Sequence, residues 1–327
     1  MNSTGAPLAG VYRALAPAKV NLGLFLGPVR DGDGRHELVS VMQSISLADE
    51  LTLEVAPAGS QQDEVICPGV PGGAEKNLAG AALRAFRAST GWQAPPLRLT
   101  IVKRVPVAAG LGGGSADAAA ALRLAWHASG LGDKQLLHTL GSQLGADVPA
   151  QISPGRWLAS GAGEQLQSLA PARSRFGVLV LPLDTELSTA AVYAEADRLG
   201  LGHARHTLAE RWLELSSALE HGAPLPAATE LLHNDLQRAA VSLCPQIAEV
   251  LAQARESGAR PALVSGSGPT VIGLFPDAGG SADGGLARAR VAATAFEGRV
   301  PAPICAVPVD AAFAQAASDA PVRHNPR

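Results

Sequence analysis

Four glycines fall within five residues, Gly110, Gly112, Gly113 and Gly114, inside the run Val105-Pro-Val-Ala-Ala-Gly-Leu-Gly-Gly-Gly-Ser-Ala-Asp-Ala-Ala119. Apolar, strand-like residues precede the run, and a helical pattern follows from Ser115. Glycines let the backbone take positive φ and approach a ligand without Cβ atoms in the way. Amide N–H groups then converge ahead of a helix N-terminus, where the dipole is positive, and the result is a cradle for an anion, most often phosphate. Two better-known phosphate loops do not fit. The chain holds no Gly-Lys pair, so there is no Walker loop. The third glycine of a dinucleotide fingerprint is replaced by Ser115, and no acidic residue ends a second strand about 20 residues on.

Other residues are candidates by their company. Lys19 lies in the apolar stretch Ala16–Leu26 with Asn21 two positions on, so the two share a face if the stretch is a strand. Read alone, such a lysine guards an edge strand against aggregation. Asp147 precedes Val148-Pro149, and proline disfavours helix at the residue before it, so a helix is expected to give way to extended chain there. An isolated Asp-x-Pro is a turn aspartate. His36 and Arg35 follow a Gly/Asp loop; a neutral imidazole can donate and accept, and a guanidinium can stack on a ring or reach a phosphate. Asn77 reads as a helix N-cap, and Asp117 suits the positive end of the helix after the glycines. Ser265 stands where a nucleophile elbow around Ser267 would need glycine. His203 and His206 have no third ligand nearby and read as solvated surface.

The elements that must position these groups are expected as follows. Val11–Phe25, interrupted by Pro17, reads as strand, turn, strand, while Leu51–Val55 and Leu97–Val102 alternate at period two as half-buried strands. Asn77–Ser89 and Ser115–Ala128 carry apolar residues at helical spacing, and Lys134–Leu144 follows Asp133, a natural N-cap. Ser153–Arg175, rich in Gly and Pro, reads as a hinge. Beyond it, a strand at Phe176–Leu183 precedes helices at Thr189–Leu199, Leu208–Glu220, Ala227–Val241 and Pro245–Ser257. Strands at Ala262–Ser265, Thr270–Phe275 and Ile304–Val309 and a helix near Leu286–Ala295 complete an α+β sandwich with helices on one face. Asp277–Gly285 reads as a loop and the tail after Asp310 as frayed.

Composition sets the bounds. The chain of 327 residues, 47% hydrophobic, is long enough for about two domains. A formal net charge of -3 carries none of the basic footprint of a nucleic-acid binder, so an anionic ligand must be held by local groups. No stretch approaches the roughly 18 apolar residues of a membrane helix, and the first residues lack the layout of a signal peptide. Three scattered cysteines make neither a disulfide framework nor a zinc site, and a cytoplasmic setting is expected.

Pro106-x-x-x-Gly-Leu-Gly-Gly-Gly-Ser-Ala-Asp-Ala-Ala119 resembles the ATP-binding motif of the GHMP kinases, the family of galactokinase, homoserine, mevalonate and phosphomevalonate kinases. Three further blocks fall in the family's order: Ala16-Pro-Ala-Lys-Val-Asn-Leu22 with Asp33-Gly-Arg-His-Glu-Leu38, then Leu144-Gly-Ala-Asp-Val-Pro149, then Val264-Ser-Gly-Ser-Gly-Pro-Thr270. Together they resemble the branch whose acceptor is a cytidine diphosphate derivative in the non-mevalonate isoprenoid pathway, over Val11 to about Val309. The resemblance implies a two-domain α+β GHMP kinase fold. A ribosomal-protein-like ATP domain would span residues 1–170 and a ferredoxin-like domain residues 171–327, with the site in the cleft between.

It also implies roles. ATP would lie on Pro106, Val107, Ala108, Ala109, Gly110, Leu111, Gly112, Gly113, Gly114, Ser115 and Ala116, with Asn77 and Lys103 near the adenine. Asp147 would aim the acceptor's 2-hydroxyl and take its proton, with Lys19 as the neighbouring cation. Asn21, Arg35, His36, Gly266 and Gly268 would hold the acceptor, although the family usually has a tyrosine where Arg35 stands. Mg²⁺ would neutralise the phosphates, its protein ligands not being legible. The partner is then a small molecule, with no nucleic acid or membrane, and the chain a monomer or weak homodimer. The alternatives are another GHMP kinase, of homoserine or mevalonate type, or a non-catalytic protein on the same fold.

Overall fold

The structure is a computed structural model and describes residues 10–70, 77–173, 176–226, 229–277 and 284–318. In chain order the elements of the first half are β1 (Tyr12–Val29), β2 (His36–Val55), β3 (Glu64–Ile66), α1 (Leu78–Thr90), β4 (Leu97–Val102), α2 (Gly113–Ser129), α3 (Lys134–Leu144), α4 (Val148–Ile152), β5 (Arg156–Ser160) and β6 (Gln165–Ser168). The second half follows with β7 (Gly177–Leu181), α5 (Thr189–Arg198), α6 (Arg205–Leu219), α7 (Leu236–Leu243), α8 (Gln246–Glu256), β8 (Ala262–Val264), β9 (Val271–Phe275), α9 (Gly284–Ala293), β10 (Ile304–Ala306) and β11 (Ala317–Ser318).

Two sheets organise the chain. In the larger one the strands run β11-β1-β2-β4-β3, with the hairpin β5–β6 paired to the other end of β2. Helices α1 to α3 cover one face, burying Leu83, Phe86, Leu99, Ile101, Leu122 and Leu137 completely or nearly so. The second sheet, β10-β7-β9-β8, is antiparallel throughout. Its side chains alternate: Leu179, Leu181, Val264 and Val271 pack with α5, α7, α8 and α9, whereas Val178, Val180, Ile272 and Leu274 pack toward α6 and β1. Four of the five helices expected on one face, α5, α7, α8 and α9, lie there, whereas α6 packs on the opposite side, toward β1.

Several expectations are corrected. Pro17 does not break β1, which runs unbroken through it. A register shift in the β1–β2 ladder between Pro17 and Lys19 removes the need for the ladder hydrogen bond that proline cannot make. That bulge also changes which side chains face where. Ala14 and Ala16 pack under α1–α3, but Ala18, Val20 and Leu22 pack toward the second half, and Lys19 and Asn21 turn the other way. Ser153–Arg175 is no bare hinge, since it holds the β5–β6 hairpin. The helix expected over Ala227–Val241 begins only at Leu236, after a short 3₁₀ turn at Thr229–Leu231. The described part of the tail after Asp310 is not frayed: it forms a 3₁₀ turn at Ala311–Ala314 and β11 on the edge of β1. Most of the loop expected at Asp277–Gly285 lies outside the described residues.

Candidate active site

The glycine run does join a strand to a helix, but α2 starts at Gly113, two residues earlier than the pattern suggests. Its N-cap is Gly112, at φ +69°, with no side chain to satisfy the first-turn amides, so these are left to an external acceptor. Gly110, at φ +73°, lies so near the second half that an added Cβ would come within 2.5 Å of the Ser265 carbonyl oxygen and 2.8 Å of that of Gly268. Ser265 Oγ donates to the Gly110 carbonyl at 3.2 Å. The two glycine loops, 155 residues apart in sequence, therefore touch through backbone.

Beneath them lies the charged pair. The Lys19 amide donates to the Leu111 carbonyl at 2.9 Å, which ties β1 to the loop. Lys19 Nζ donates to Asn21 Oδ1 at 2.8 Å and stands 3.6 Å from Asp147 Oδ2. Asn21 in turn donates to Ser40 Oγ, and Ser40 to the Gly23 carbonyl, both at 2.7 Å. Lys19 is almost wholly buried while the Asp147 carboxylate is 39% exposed, so the aspartate is open to a ligand and the lysine is fixed from below. Asp147 does not lead into extended chain. It joins α3 to the short helix α4, and Pro149 is accepted because the first helical turn needs no amide donor.

A cleft of about 670 Å³ opens over this pair, lined by Lys19, Asn21, Arg35, His36, Gly110, Gly112, Ser115, Asp147, Tyr193 and Gly266 among others. At its far end His36 Nδ1 lies 2.9 Å from the Gly27 carbonyl and its Nε2 3.1 Å from Asp197 Oδ1, while its ring packs 5.4 Å from that of Tyr193. Burial, and then the Asp147 carboxylate, push the Tyr193 phenol up to about 12, so it stays neutral. Arg35 extends along the same wall, donating to the Ala162 carbonyl at 2.6 Å.

A second hollow of about 360 Å³ lies across the loop, bounded by Pro106 through Ser115 with Asn77, Lys103, Cys67 and Asp117. Asn77 caps α1, its Oδ1 accepting from the Ala79 amide at 2.9 Å, and still reaches this wall. Lys103 is engaged from beneath by Asp49 and Asp117. Two expected contacts do not line either hollow: Ala116 lies on the buried face of α2, and Gly268 packs against Val264. The site gains three groups that sequence reading missed, Tyr193, Asp197 and Ser40, each isolated in sequence from any motif. The only advance signal for Tyr193 was the scarcity of the type, with two tyrosines in the chain. His203, read as surface, is 3.1 Å from Asp235 Oδ2, and His233 is 2.8 Å from the other oxygen. Among the described residues no group of three or more His, Cys, Asp or Glu could hold a metal, and no helix is long and apolar enough to cross a membrane.

Two glycine loops meeting above a lysine–aspartate pair, on this pair of sheets, are the architecture of the GHMP kinases, ATP-dependent enzymes acting on small molecules. The model of the GHMP kinases N terminal domain matches residues 77–155, and that of the GHMP kinases C terminal domain matches residues 215–283. A relative from Anaeromyxobacter dehalogenans, named 4-diphosphocytidyl-2-C-methyl-D-erythritol kinase, is 39% identical over 87% of this chain and 85% of its own. One of the same name from Streptomyces coelicolor is 40% identical over 82% and 88%. A crystal structure of 4-(cytidine 5'-diphospho)-2C-methyl-D-erythritol kinase superposes with a TM-score of 0.70 at 31% identity, covering 90% of this chain and 98% of that one. Homoserine kinase from Cytophaga hutchinsonii, at 17% identity and a TM-score of 0.66, shares the fold. The chain belongs to the GHMP kinases and, within them, to the family of the 4-diphosphocytidyl-2-C-methyl-D-erythritol kinases.

Proposed function

We propose that this enzyme transfers the γ-phosphoryl group of ATP to the 2-hydroxyl of 4-diphosphocytidyl-2-C-methyl-D-erythritol, with Asp147 as general base and Lys19 as its partner. The observation that carries the reading is the Lys19–Asp147 pair, 3.6 Å apart on the floor of a cleft walled by the glycine loop. The triphosphate rests against the amides at the start of α2, with Asn77 and Lys103 toward the adenine. The acceptor lies along the longer arm of the cleft, its hydroxyl at Asp147 and its cytosine against the packed pair of His36 and Tyr193. Arg35, standing where the family usually has a tyrosine, serves the diphosphate or stacks its planar guanidinium on the base. Asp147 accepts the hydroxyl proton as the oxygen attacks phosphorus, and the Lys19 ammonium offsets charge on the transferring group. In such transfers positioning and charge stabilisation supply most of the rate.

Magnesium ion, when bound, would neutralise the phosphates. No three-donor protein cage exists among the described residues, so we take the ion to arrive on the triphosphate, as Mg²⁺ commonly does. In this reading the two domains divide near residue 170, which is supported by β6 ending at Ser168 before the second sheet begins at β7, although β11 returns to the first sheet. The reading has the enzyme working in the cytoplasm on a small molecule, as a monomer or weak homodimer. Its test is a substrate panel with an Asp147→Asn variant. The cytidine compound should be turned over and homoserine and mevalonate should not. Asp147→Asn should lower kcat by about 10²–10⁴ while leaving the KM for ATP nearly as it was. Turnover of homoserine alone, or an unchanged rate in the variant, would reject the substrate or the base respectively.

A further inference from the structure

We propose that Arg123, with Gln151, is the positioning residue that holds Asp147 over Lys19. The inference rests on the reading of Asp147 as the base. Helix α4 has five residues, Val148–Ile152, far too few to be stable by itself, and Asp147 at its head makes no capping hydrogen bond. The direction in which Asp147 points must therefore come from what grips the other end. There the Gln151 carbonyl accepts from Arg123 Nη1 at 2.5 Å, and Nη2 of the same guanidinium donates to the Leu15 carbonyl at 2.7 Å. The Gln151 side chain repeats the link: its Nε2 donates to the Pro17 carbonyl at 3.2 Å and its Oε1 accepts from Ser44 Oγ at 3.4 Å. One cation on α2 thus binds α4 and the segment of β1 that ends in Lys19, so the glycine-loop helix, the aspartate's helix and the lysine's strand share a single joint.

The energetics argue that this joint is not there for stability. No carboxylate among the described residues pairs with Arg123, its Nε is buried without a partner, and burial pulls its guanidinium down to about 10. A buried charge without a counter-ion is costly, and an apolar side chain of similar volume is often the more stable choice. What the arginine supplies is two forked donors in fixed geometry, aimed at two carbonyls, one of them at the negative end of α4. Displacements of about 1 Å at reacting groups can cost about a hundredfold in rate, so a joint that fixes them need not stabilise the fold.

The test is steady-state kinetics of Arg123→Met, Arg123→Lys and Gln151→Met, well below each variant's unfolding midpoint. Arg123→Met should lose about 10- to 100-fold in kcat with both KM values within about twofold of the parent's. Arg123→Lys, able to reach one carbonyl, should recover part of the loss. In an Asp147→Asn background Arg123→Met should add little, because both act through one carboxylate. A parental kcat in folded Arg123→Met, or a loss that multiplies fully with Asp147→Asn, overturns the proposal. Should Arg123→Met not fold, Gln151→Met decides, since it keeps the carbonyl and removes only the side-chain links to Pro17 and Ser44; parental kcat there rejects the joint. Asp147→Asn alone separates the two readings, for a parental rate in that variant rejects the base whatever Arg123 does.

Discussion

Lys103 shows how one side chain can be placed by sequence and explained only by structure. The family resemblance puts it beside the adenine, and it lines the second hollow, next to the glycine loop. Its ammonium, however, is spent on Asp49 and Asp117, and Asp49 also accepts from the amides of Arg104 and Val105. The three charges pin the end of β4, from which the glycine loop springs. Two carboxylates share one ammonium, and Asp117 Oδ1 is buried without a partner. Burial lifts the Asp117 carboxyl to about 7, with Lys103 pulling it down and Asp49 pushing it up. A carboxyl whose folded pKa is raised binds its proton more tightly in the native than in the unfolded chain. Its stabilising share is therefore present at low pH and fades as pH climbs through about 7. Asp117→Asn, neutral at every pH, should gain stability relative to the parent as pH rises from about 4 to about 7 and keep that gain above it, read as urea midpoints at each pH. A gap that moves the other way would mean that the ionised pair with Lys103 outweighs the burial cost.

At the scale of elements, the close approach of two loops is the feature most sensitive to one atom. Gly110→Ala would put a Cβ 2.5 Å from a backbone oxygen, at a φ of +73° that alanine resists. The loops would have to part, so the KM for ATP should rise well over tenfold, whereas Gly32→Ala, with nothing within 4 Å, should leave it unchanged. Equal nucleotide affinity in both variants, by titration calorimetry, would mean that the contact does not shape the cradle. Elements with a single period were legible in advance. Leu97–Val102 is β4 to the residue, and Asn77 and Asp133 cap α1 and α3 as expected. What escaped has a physical reason in each case. The first half of β2 buries Ser40, Gln43 and Ser44 along with its apolar residues, so no polar face marks it as a strand. Gly161 and Gly163, read as hinge residues, form the turn of the β5–β6 hairpin. The stretch Ala227–Val241 keeps a helical period through a segment that instead lies along β1. Of the site, the residues inside motifs were legible; Tyr193 and Asp197 reach it from α5, where nothing nearby in sequence announces them.

For the whole molecule, that segment is where the two halves are joined above the site. The Leu24 amide donates to the His233 carbonyl at 2.7 Å, the Asp235 amide to the Leu24 carbonyl at 3.0 Å, and the Leu26 amide to Asp235 Oδ2 at 2.7 Å. Asn234 between them is buried, and its Nδ2 donates to the carbonyls of Val264 at 2.7 Å and Gly266 at 2.8 Å, while its Oδ1 accepts from the Leu236 amide at 3.0 Å. One amide side chain therefore fastens the second glycine loop to a segment laid on the strand that carries Lys19. Asn234→Leu keeps nearly the same volume but strands two carbonyls and one amide away from water. At about 1–3 kcal/mol for an unsatisfied buried group, partly relieved by relaxation, the variant should lose about 2–4 kcal/mol in urea unfolding. Because the Gly266 loop borders the cleft and touches Gly110, the KM for ATP and for the acceptor should rise together, unlike the kcat-only loss expected when Asp147 is altered. A variant that unfolds with the parent, or one in which only a single KM moves, would show that the two halves do not depend on this side chain for their alignment.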